Sequence, residues 1–115
     1  MESNIQETLQ ISNEKMVEYY EYAQELFADK RYQDAADILL FLSTINPYVY
    51  EVWLARGVAE YSLQNFTESV YAFQMAIALD RHREDAYLGL IQVFKEQGQE
   101  LAAKEIWEFM RYEGQ

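Results

Sequence analysis

The chain has 115 residues, of which 20 are acidic and nine basic, so its net charge is −11 at pH 7. Because phosphate backbones and anionic lipid repel such a surface, nucleic acid and membrane surfaces are excluded as favoured partners. The chain has no cysteine, which excludes disulfides and thiolate zinc sites and is typical of a reducing cytosol. No signal peptide is predicted at the polar N-terminus, and no apolar run reaches the roughly 18 residues that a membrane span needs.

Residues 1–15 form the first predicted segment. One weak helical face is predicted from the apolar residues Ile5, Leu9, Ile11 and Met16. Ser12 and the two residues after it supply capping groups for the next helix. The segment is therefore either a frayed leader or a helix that docks on this chain or dimerises with a second copy.

A pattern of aromatic and small residues then recurs in phase every 34 residues, giving three units, 16–49, 50–83 and 84–115. Each unit predicts two antiparallel helices, because its apolar residues follow a helical period on both sides of a polar turn. In the first unit the helices are predicted at about 16–29 and 32–45, and in the third at about 84–97 and 100–113.

Three local signals refine these helices. The helix over 32–45 is apolar nearly all round, so we predict that it is buried between its neighbours and ends at Asn46 and Pro47. Gly57 lies in the middle of a helix, where glycine costs about 1 kcal/mol relative to alanine, so it predicts a close helix contact. The three-residue spacing of Asn65 and Glu68 predicts a capping box. Gly98 predicts the end of the fifth repeat helix.

The layout resembles the tetratricopeptide repeat, a helix-turn-helix unit of the same length with aromatic and small residues at the same positions. The alternative is an unrelated helical bundle. The resemblance implies an all-α fold of three tetratricopeptide repeats, six antiparallel helices in a short right-handed solenoid, with an extra N-terminal helix as one option. Arg56 stands where the family usually has leucine, which predicts looser packing in the second unit.

In the tetratricopeptide family the first helix of each unit lines a concave groove that binds peptides. Carrying those positions over gives candidate partner-binding residues Val17, Tyr20, Gln24, Phe27, Leu54, Val58, Tyr61 and Leu88. Apolar side chains there are not needed for helix packing, so they indicate an apolar ligand, extended or helical. The alternative is that the N-terminal segment fills the groove. The basic clamp of heat-shock co-chaperones is absent, since Glu51 and Asp85 stand at two of its positions.

The last predicted helix carries large apolar residues close to Gln115, where no later predicted helix covers them. Longer tetratricopeptide arrays end in an extra polar helix that covers the last repeat. Either the polar residues of the last helix suffice here, or another chain covers its apolar side. A candidate face for self-association or a partner is therefore formed by Ile5, Leu9, Trp107, Phe109 and Met110.

A closer resemblance rests on the segment 41–48 followed by Trp53, Leu54, Ala55, Arg56 and Gly57. It is similar to class II chaperones of bacterial type III secretion, small acidic tetratricopeptide proteins that hold translocator subunits before export. The resemblance implies a non-enzymatic chaperone in the bacterial cytoplasm, with a secreted protein as client and a homodimer as one assembly. A related role is one half of a two-chaperone clamp on needle subunits, with a second small chaperone as partner. The alternative is a generic scaffold or adaptor for protein–protein interaction.

No pattern for catalysis is found. His82 is the only histidine and lies in a turn between two arginines, without a nucleophile or further metal ligands nearby in sequence. The sequence contains no phosphate-binding glycine loop, nucleophile elbow or calcium loop. We therefore predict no catalytic residue, metal site or cofactor.

Overall fold

A computed structural model describes residues 4–113, which contain helices and turns but no strand. The helices are α1 (Ile5–Thr8), α2 (Asn13–Ala28), α3 (Tyr32–Ile45), α4 (Tyr50–Ser62), α5 (Phe66–Leu79), α6 (Glu84–Glu96) and α7 (Glu100–Glu113). From α2 onward each helix packs against the next, and α4 also packs against α6. The fold is thus the predicted all-α array of three helical hairpins, preceded by the short α1.

The first hairpin begins and ends at residues that the sequence marks. α2 begins at Asn13, slightly before its predicted start, because the Ser12 hydroxyl accepts a hydrogen bond from the Lys15 amide at 3.0 Å. α3 ends at Ile45, and Asn46 is extended with φ −146°, as expected for a residue that precedes proline. The capping role of Ser12 and the end of α3 before Pro47 are confirmed, whereas the predicted start of the first helix was three residues late.

The turn inside each hairpin contains one residue with left-handed backbone geometry. These are Lys30, Gln64 and Gly98, with φ of 63°, 62° and 74°, and they occupy the same position in the three repeats. Only Gly98 adopts this conformation without a steric cost, because it lacks a Cβ. The predicted helix end at Gly98 is confirmed, and the other two turns reach the same geometry without glycine.

The capping-box prediction for α5 is wrong. The Asn65 side chain makes no capping hydrogen bond to the helix. Its amide nitrogen instead donates to the Glu60 carboxylate at 3.4 Å, back across the turn. The Asn65 side chain therefore points toward α4, and its spacing from Glu68 was not sufficient to predict its hydrogen-bond partner.

The prediction that α3 is buried all round is also wrong. Leu39 and Leu42 face the core and are 3% and 0% exposed, but Leu40 and Phe41 are 48% and 45% exposed. The equivalent positions of α5, Gln74 and Met75, are exposed and half-buried, so this side of the second helix faces outward in both repeats. The exposed Phe41 ring contacts Tyr19 edge-on at 6.1 Å between centroids.

The N-terminal segment docks through the polar side chain of Gln6 and through Ile11, which packs against the core, whereas Ile5 and Leu9 of the predicted apolar face do not dock. Gln6 is buried: its amide nitrogen donates to the Ile11 carbonyl and to Asn13, and its oxygen accepts from Asn46 at 2.7 Å. Ile5 and Leu9 are 47% and 56% exposed. The face prediction is wrong for Ile5 and Leu9, because α1 ends at Thr8 and a left-handed residue at position 10 separates it from α2.

An aromatic ring between two glycines joins the second and third hairpins. Phe73 of α5 is 2% exposed, and its ring lies against Gly57 of α4 and Gly89 of α6. A Cβ added at Gly57 would come within 2.6 Å of the ring, and one added at Gly89 within 2.4 Å. The predicted close contact at Gly57 is confirmed. The equivalent role of Gly89 is a new finding.

Arg56 is part of the core, so the prediction of loose packing at this position is wrong. The residue is only 8% exposed, and its guanidinium lies 5.2 Å from the centre of the Trp53 ring. It donates hydrogen bonds to the Ser43 hydroxyl at 3.5 Å and to Glu68 at 3.4 Å. Its long side chain therefore connects α3, α4 and α5 where leucine would only fill space.

Candidate functional site

An open apolar pocket of about 350 Å³ lies between α2 and α4. We call it the α2/α4 pocket, and it is lined by Tyr20, Ala23, Gln24, Phe27, Leu39, Leu54, Ala55 and Val58. Among the described residues, none of those that line it is charged. Leu39 of α3 lies between the two helices and is itself part of the core. The pocket is therefore an apolar concavity whose sides come from the first helices of two consecutive repeats.

Five of the eight candidate partner-binding residues line this pocket. They are Tyr20, Gln24, Phe27, Leu54 and Val58. Val17 is 54% exposed and lies in a neighbouring cavity of about 350 Å³, which shares Tyr20 with the pocket. The two cavities are thus adjoining parts of one surface along α2, and Tyr20 stands between them.

Tyr20 keeps a neutral phenol on this surface. Burial raises the pKa of Tyr20 above its usual value of 10.0, and the negative charge of Glu51 raises it further. Because the charged form is disfavoured, the hydroxyl remains protonated throughout the physiological pH range. A ligand in the pocket therefore meets an aromatic ring with one hydrogen-bonding group.

The N-terminal segment lies beside the pocket. Gln6 and Asn13 line the neighbouring cavity, and none of the residues 4–15 lines the α2/α4 pocket itself. α1 packs against α3 at the end of the first hairpin. The described part of the segment therefore borders the groove near Val17 and Tyr20 and leaves the α2/α4 pocket open.

Tyr61 belongs to a different part of the surface. Its hydroxyl donates to Glu96 and accepts from the Gln92 amide, both at 3.3 Å. Its ring contacts Phe66 at 6.1 Å between centroids. These contacts attach Tyr61 to polar side chains of α6 in the third repeat, and it lies outside the apolar pocket.

The remaining candidate residues do not form one surface. Leu88 lines a separate cavity with Trp107 and Met110, and Met110 is only 6% exposed. Phe109 contacts Tyr87 at 6.0 Å between ring centroids. It lies on a different side of α7 from Trp107, because residues two positions apart are separated by about 200° around a helix. Ile5 lies on α1, which packs on α3, and Leu9 directly follows that helix. The single face predicted from these five residues is therefore wrong as one patch.

An ion pair borders the groove where the second and third repeats meet. Arg83 donates to Glu51 at 2.7 Å and lies 4.0 Å from the centre of the Tyr50 ring. The Tyr50 hydroxyl accepts from the Ala86 amide at 3.3 Å, which extends the contact to α6. The hydrogen bond from Arg83 lowers the pKa of Glu51 below its usual value of 4.5.

This lowered pKa predicts a pH-dependent contribution to stability. A carboxyl group whose pKa is lower in the folded than in the unfolded protein stabilises the folded state at any pH above its unfolded pKa. That contribution is lost as the pH falls through the pKa of the folded state. We expect Glu51→Gln to cause a small fall in Tm at pH 7, because exposed pairs contribute little. The difference from the parent should vanish toward pH 3. Thermal unfolding by circular dichroism across this pH range is the measurement, and a constant difference would contradict it.

The described residues contain no recognisable catalytic or metal constellation. His82 is exposed in the turn between α5 and α6. Within residues 4–113, no group of three His, Asp or Glu side chains could hold a metal ion. In the same range, each helix is too short or too polar to traverse a lipid bilayer.

Solved structures share this fold at low sequence identity. The chain superimposes on a chain of a CopN–Scc3 complex with a TM-score of 0.93 and 17% identity, over 99% of this chain and 67% of that one. It superimposes on the type III secretion translocator chaperone SycD of Yersinia enterocolitica with a TM-score of 0.91 and 13% identity, over 98% of this chain and 84% of that one. A SycD structure in complex with a peptide of the translocator YopD superimposes with a TM-score of 0.84 and 14% identity, over 90% of this chain and 79% of that one.

A further match identifies the repeat type. The second TPR of Spaghetti (RPAP3), bound to an HSP90 peptide, superimposes with a TM-score of 0.77 and 16% identity, over 84% of this chain and 90% of that one. The fold is therefore that of a tetratricopeptide array, and it resembles that of type III secretion chaperones. No protein-family model and no curated protein matches the sequence.

Proposed function

We propose that this protein is a cytoplasmic chaperone of bacterial type III secretion that acts by binding, without catalysis. Its client is a translocator or needle subunit, and the α2/α4 pocket holds an apolar segment of that client until export. The observation that carries the proposal is an open, uncharged apolar pocket at the groove positions of a fold shared with SycD, which has been solved with a translocator peptide.

The chemistry of the pocket suits a short segment with a few apolar side chains. Burying one aliphatic or aromatic side chain contributes about 1.5–3 kcal/mol before the entropic costs of binding. A cavity of about 350 Å³ has room for one or two such side chains. Gln24 and the Tyr20 hydroxyl supply polar groups at the pocket. They are positioned to meet the backbone of an extended segment, which would otherwise lose its hydrogen bonds to water.

The acidic surface supports the second half of a chaperone's task, which is to keep an apolar client in solution. A net charge of −11 opposes association between loaded complexes. It also disfavours clients whose binding segment is itself acidic. The proposed client segment is therefore apolar with neutral or basic flanks.

Co-expression separates a chaperone from a generic scaffold. Each secreted apolar protein encoded by the neighbouring genes would be expressed in bacteria with and without this chain, and the soluble fraction measured. We expect one of them to become soluble only in the presence of this chain and to co-purify with it. A partner that is equally soluble alone, yet still binds, would favour the scaffold and contradict the chaperone proposal.

A further inference from the structure

The C-terminal end of the array carries a second apolar surface, made by α6 and α7. Two cavities of about 370 and 470 Å³ flank Trp107, whose side chain is 44% exposed. Ile91 contributes to one cavity and Leu88 to the other. We call this surface, centred on Trp107, the C-terminal end face. It shares no helix with the α2/α4 pocket.

The repeat register shows what this surface is built to contact. Trp107 occupies the repeat position of Leu39 and Phe73, which are 3% and 2% exposed. Phe73 is covered because the next repeat packs over it through Gly89 of α6. Trp107 has the same place in the last repeat, but no following helix lies over it among the described residues.

Three cations and two carboxylates line the cavities beside this tryptophan, in an otherwise strongly acidic molecule. Lys104 stands where the earlier repeats have Ala36 and Val70, and Arg111 where they have Ser43 and Ile77. Together with Lys95, these side chains line the two cavities, where Glu84 and Glu100 are the acidic neighbours. Lys95, Lys104 and Arg111 form no ion pair with any of the residues 4–112.

The opposite end of the array cannot serve as the complement. The side of α2 that would meet a preceding repeat carries exposed Glu18, Glu21 and Glu25. The corresponding positions of the later repeats hold small apolar residues, Val52, Ala55 and Ala59 in α4 and Ala86, Gly89 and Val93 in α6. Head-to-tail packing of two copies would desolvate three carboxylates, which is costly even when they are paired.

We propose that the C-terminal end face binds an amphipathic α-helix of another protein, and this interaction goes beyond the proposed client site. The helix would carry small apolar residues at i, i+3 and i+7, as α6 does where it packs over Phe73, so that its backbone approaches Trp107 closely. Glutamates or aspartates beside this stripe would pair with Lys95, Lys104 and Arg111. The partner thus takes the place that the first helix of a fourth repeat would have.

A designed helix tests this proposal directly. The probe is a stapled peptide with Ala, Gly and Val at the spacing of Ala86, Gly89 and Val93, and with glutamates beside that stripe. NMR titration should show saturable shifts centred on the Trp107 indole N–H. Trp107→Ala, and separately the double substitution Lys104→Glu and Arg111→Glu, should each weaken binding at least tenfold. Leu101→Ala, at a 72% exposed position of α7, should leave it unchanged.

Other results would overturn the proposal. These are the absence of saturable binding, equal affinity for the charge-reversed variant, or shifts confined to the α2/α4 pocket. A peptide with leucine in place of its glycine should bind at least tenfold more weakly, and equal binding would also refute the geometry. Self-association in sedimentation that Lys104→Glu removes would show that a second copy is the occupant instead. A client-site variant such as Leu54→Glu should not affect the probe, so the two proposals fail independently.

Discussion

Replacing Phe73 by alanine should lower the free energy of unfolding by about 3–5 kcal/mol, the usual cost of removing a buried phenylalanine ring. The ring is 2% exposed and contacts both the helix before it and the helix after it. Its loss would leave a cavity between two glycines, which have no side chains to fill it. Urea unfolding followed by circular dichroism measures this change.

The two glycines should respond in the opposite way from ordinary helix glycines. Alanine in a helix interior normally stabilises by about 1 kcal/mol relative to glycine. At Gly57 and Gly89, however, the added Cβ would lie 2.6 and 2.4 Å from the Phe73 ring. We expect Gly57→Ala and Gly89→Ala each to destabilise by about 1–3 kcal/mol, the range for overpacked cores.

A double-mutant cycle distinguishes this clash from a general effect of alanine. In a Phe73→Leu background the ring is gone, so Gly89→Ala should cost much less than it does in the parent. The coupling between the two sites should therefore be measurable. Additive effects, or stabilisation by Gly89→Ala in the parent, would contradict the ring-between-glycines packing.

Leu54→Glu should weaken client binding by about 100-fold or more. The substitution removes an apolar contact worth about 1.5–3 kcal/mol and places a carboxylate in a pocket lined without charges, and each 1.4 kcal/mol corresponds to tenfold in affinity. Helicity should be unchanged, because Leu54 lines the pocket and is only partly buried. Fluorescence anisotropy with a labelled client peptide gives the dissociation constants.

Two matched variants locate the effect. Leu101→Glu makes the same chemical change at a position of α7 that is 72% exposed, and it should bind the client as the parent does. Tyr61→Glu should weaken binding less than Leu54→Glu, because Tyr61 is held by α6 outside the pocket. Unimpaired binding by Leu54→Glu would place the client elsewhere on the molecule.

Periodicity was sufficient to predict the three hairpins because every helix from α2 to α7 obtains its stability from side chains that recur every 34 residues. The helix α1 lies outside that period. It is positioned by the amide of Gln6, which exchanges hydrogen bonds with Asn13 and Asn46. A buried polar network of this kind has no hydrophobic period, so an apolar face was predicted at Ile5 and Leu9 where none exists.

The candidate site was only partly predictable for a related reason. Repeat positions indicate which side of a helix faces the groove, and five of the predicted residues do meet in one pocket. They do not indicate how closely consecutive repeats approach. Tyr61 reaches α6 directly, whereas α2 and α4 leave a cavity between them. That difference depends on Phe73 and the paired glycines, whose joint effect appears only in three dimensions.

The cavity between α2 and α4 also bears on how the molecule folds. In a linear array, cooperativity depends on the strength of each contact between neighbouring repeats. Both joints are packed: Leu42 of α3 and Val52 of α4 belong to one buried core across the first, and the Phe73 ring and Arg83 join the second and third repeats. The α2/α4 pocket is the part of the first joint that stays open to solvent. A bound segment that filled it would add apolar contacts between α2 and α4 and stabilise the folded state that it binds, so occupancy itself would make the N-terminal hairpin more resistant to proteolysis.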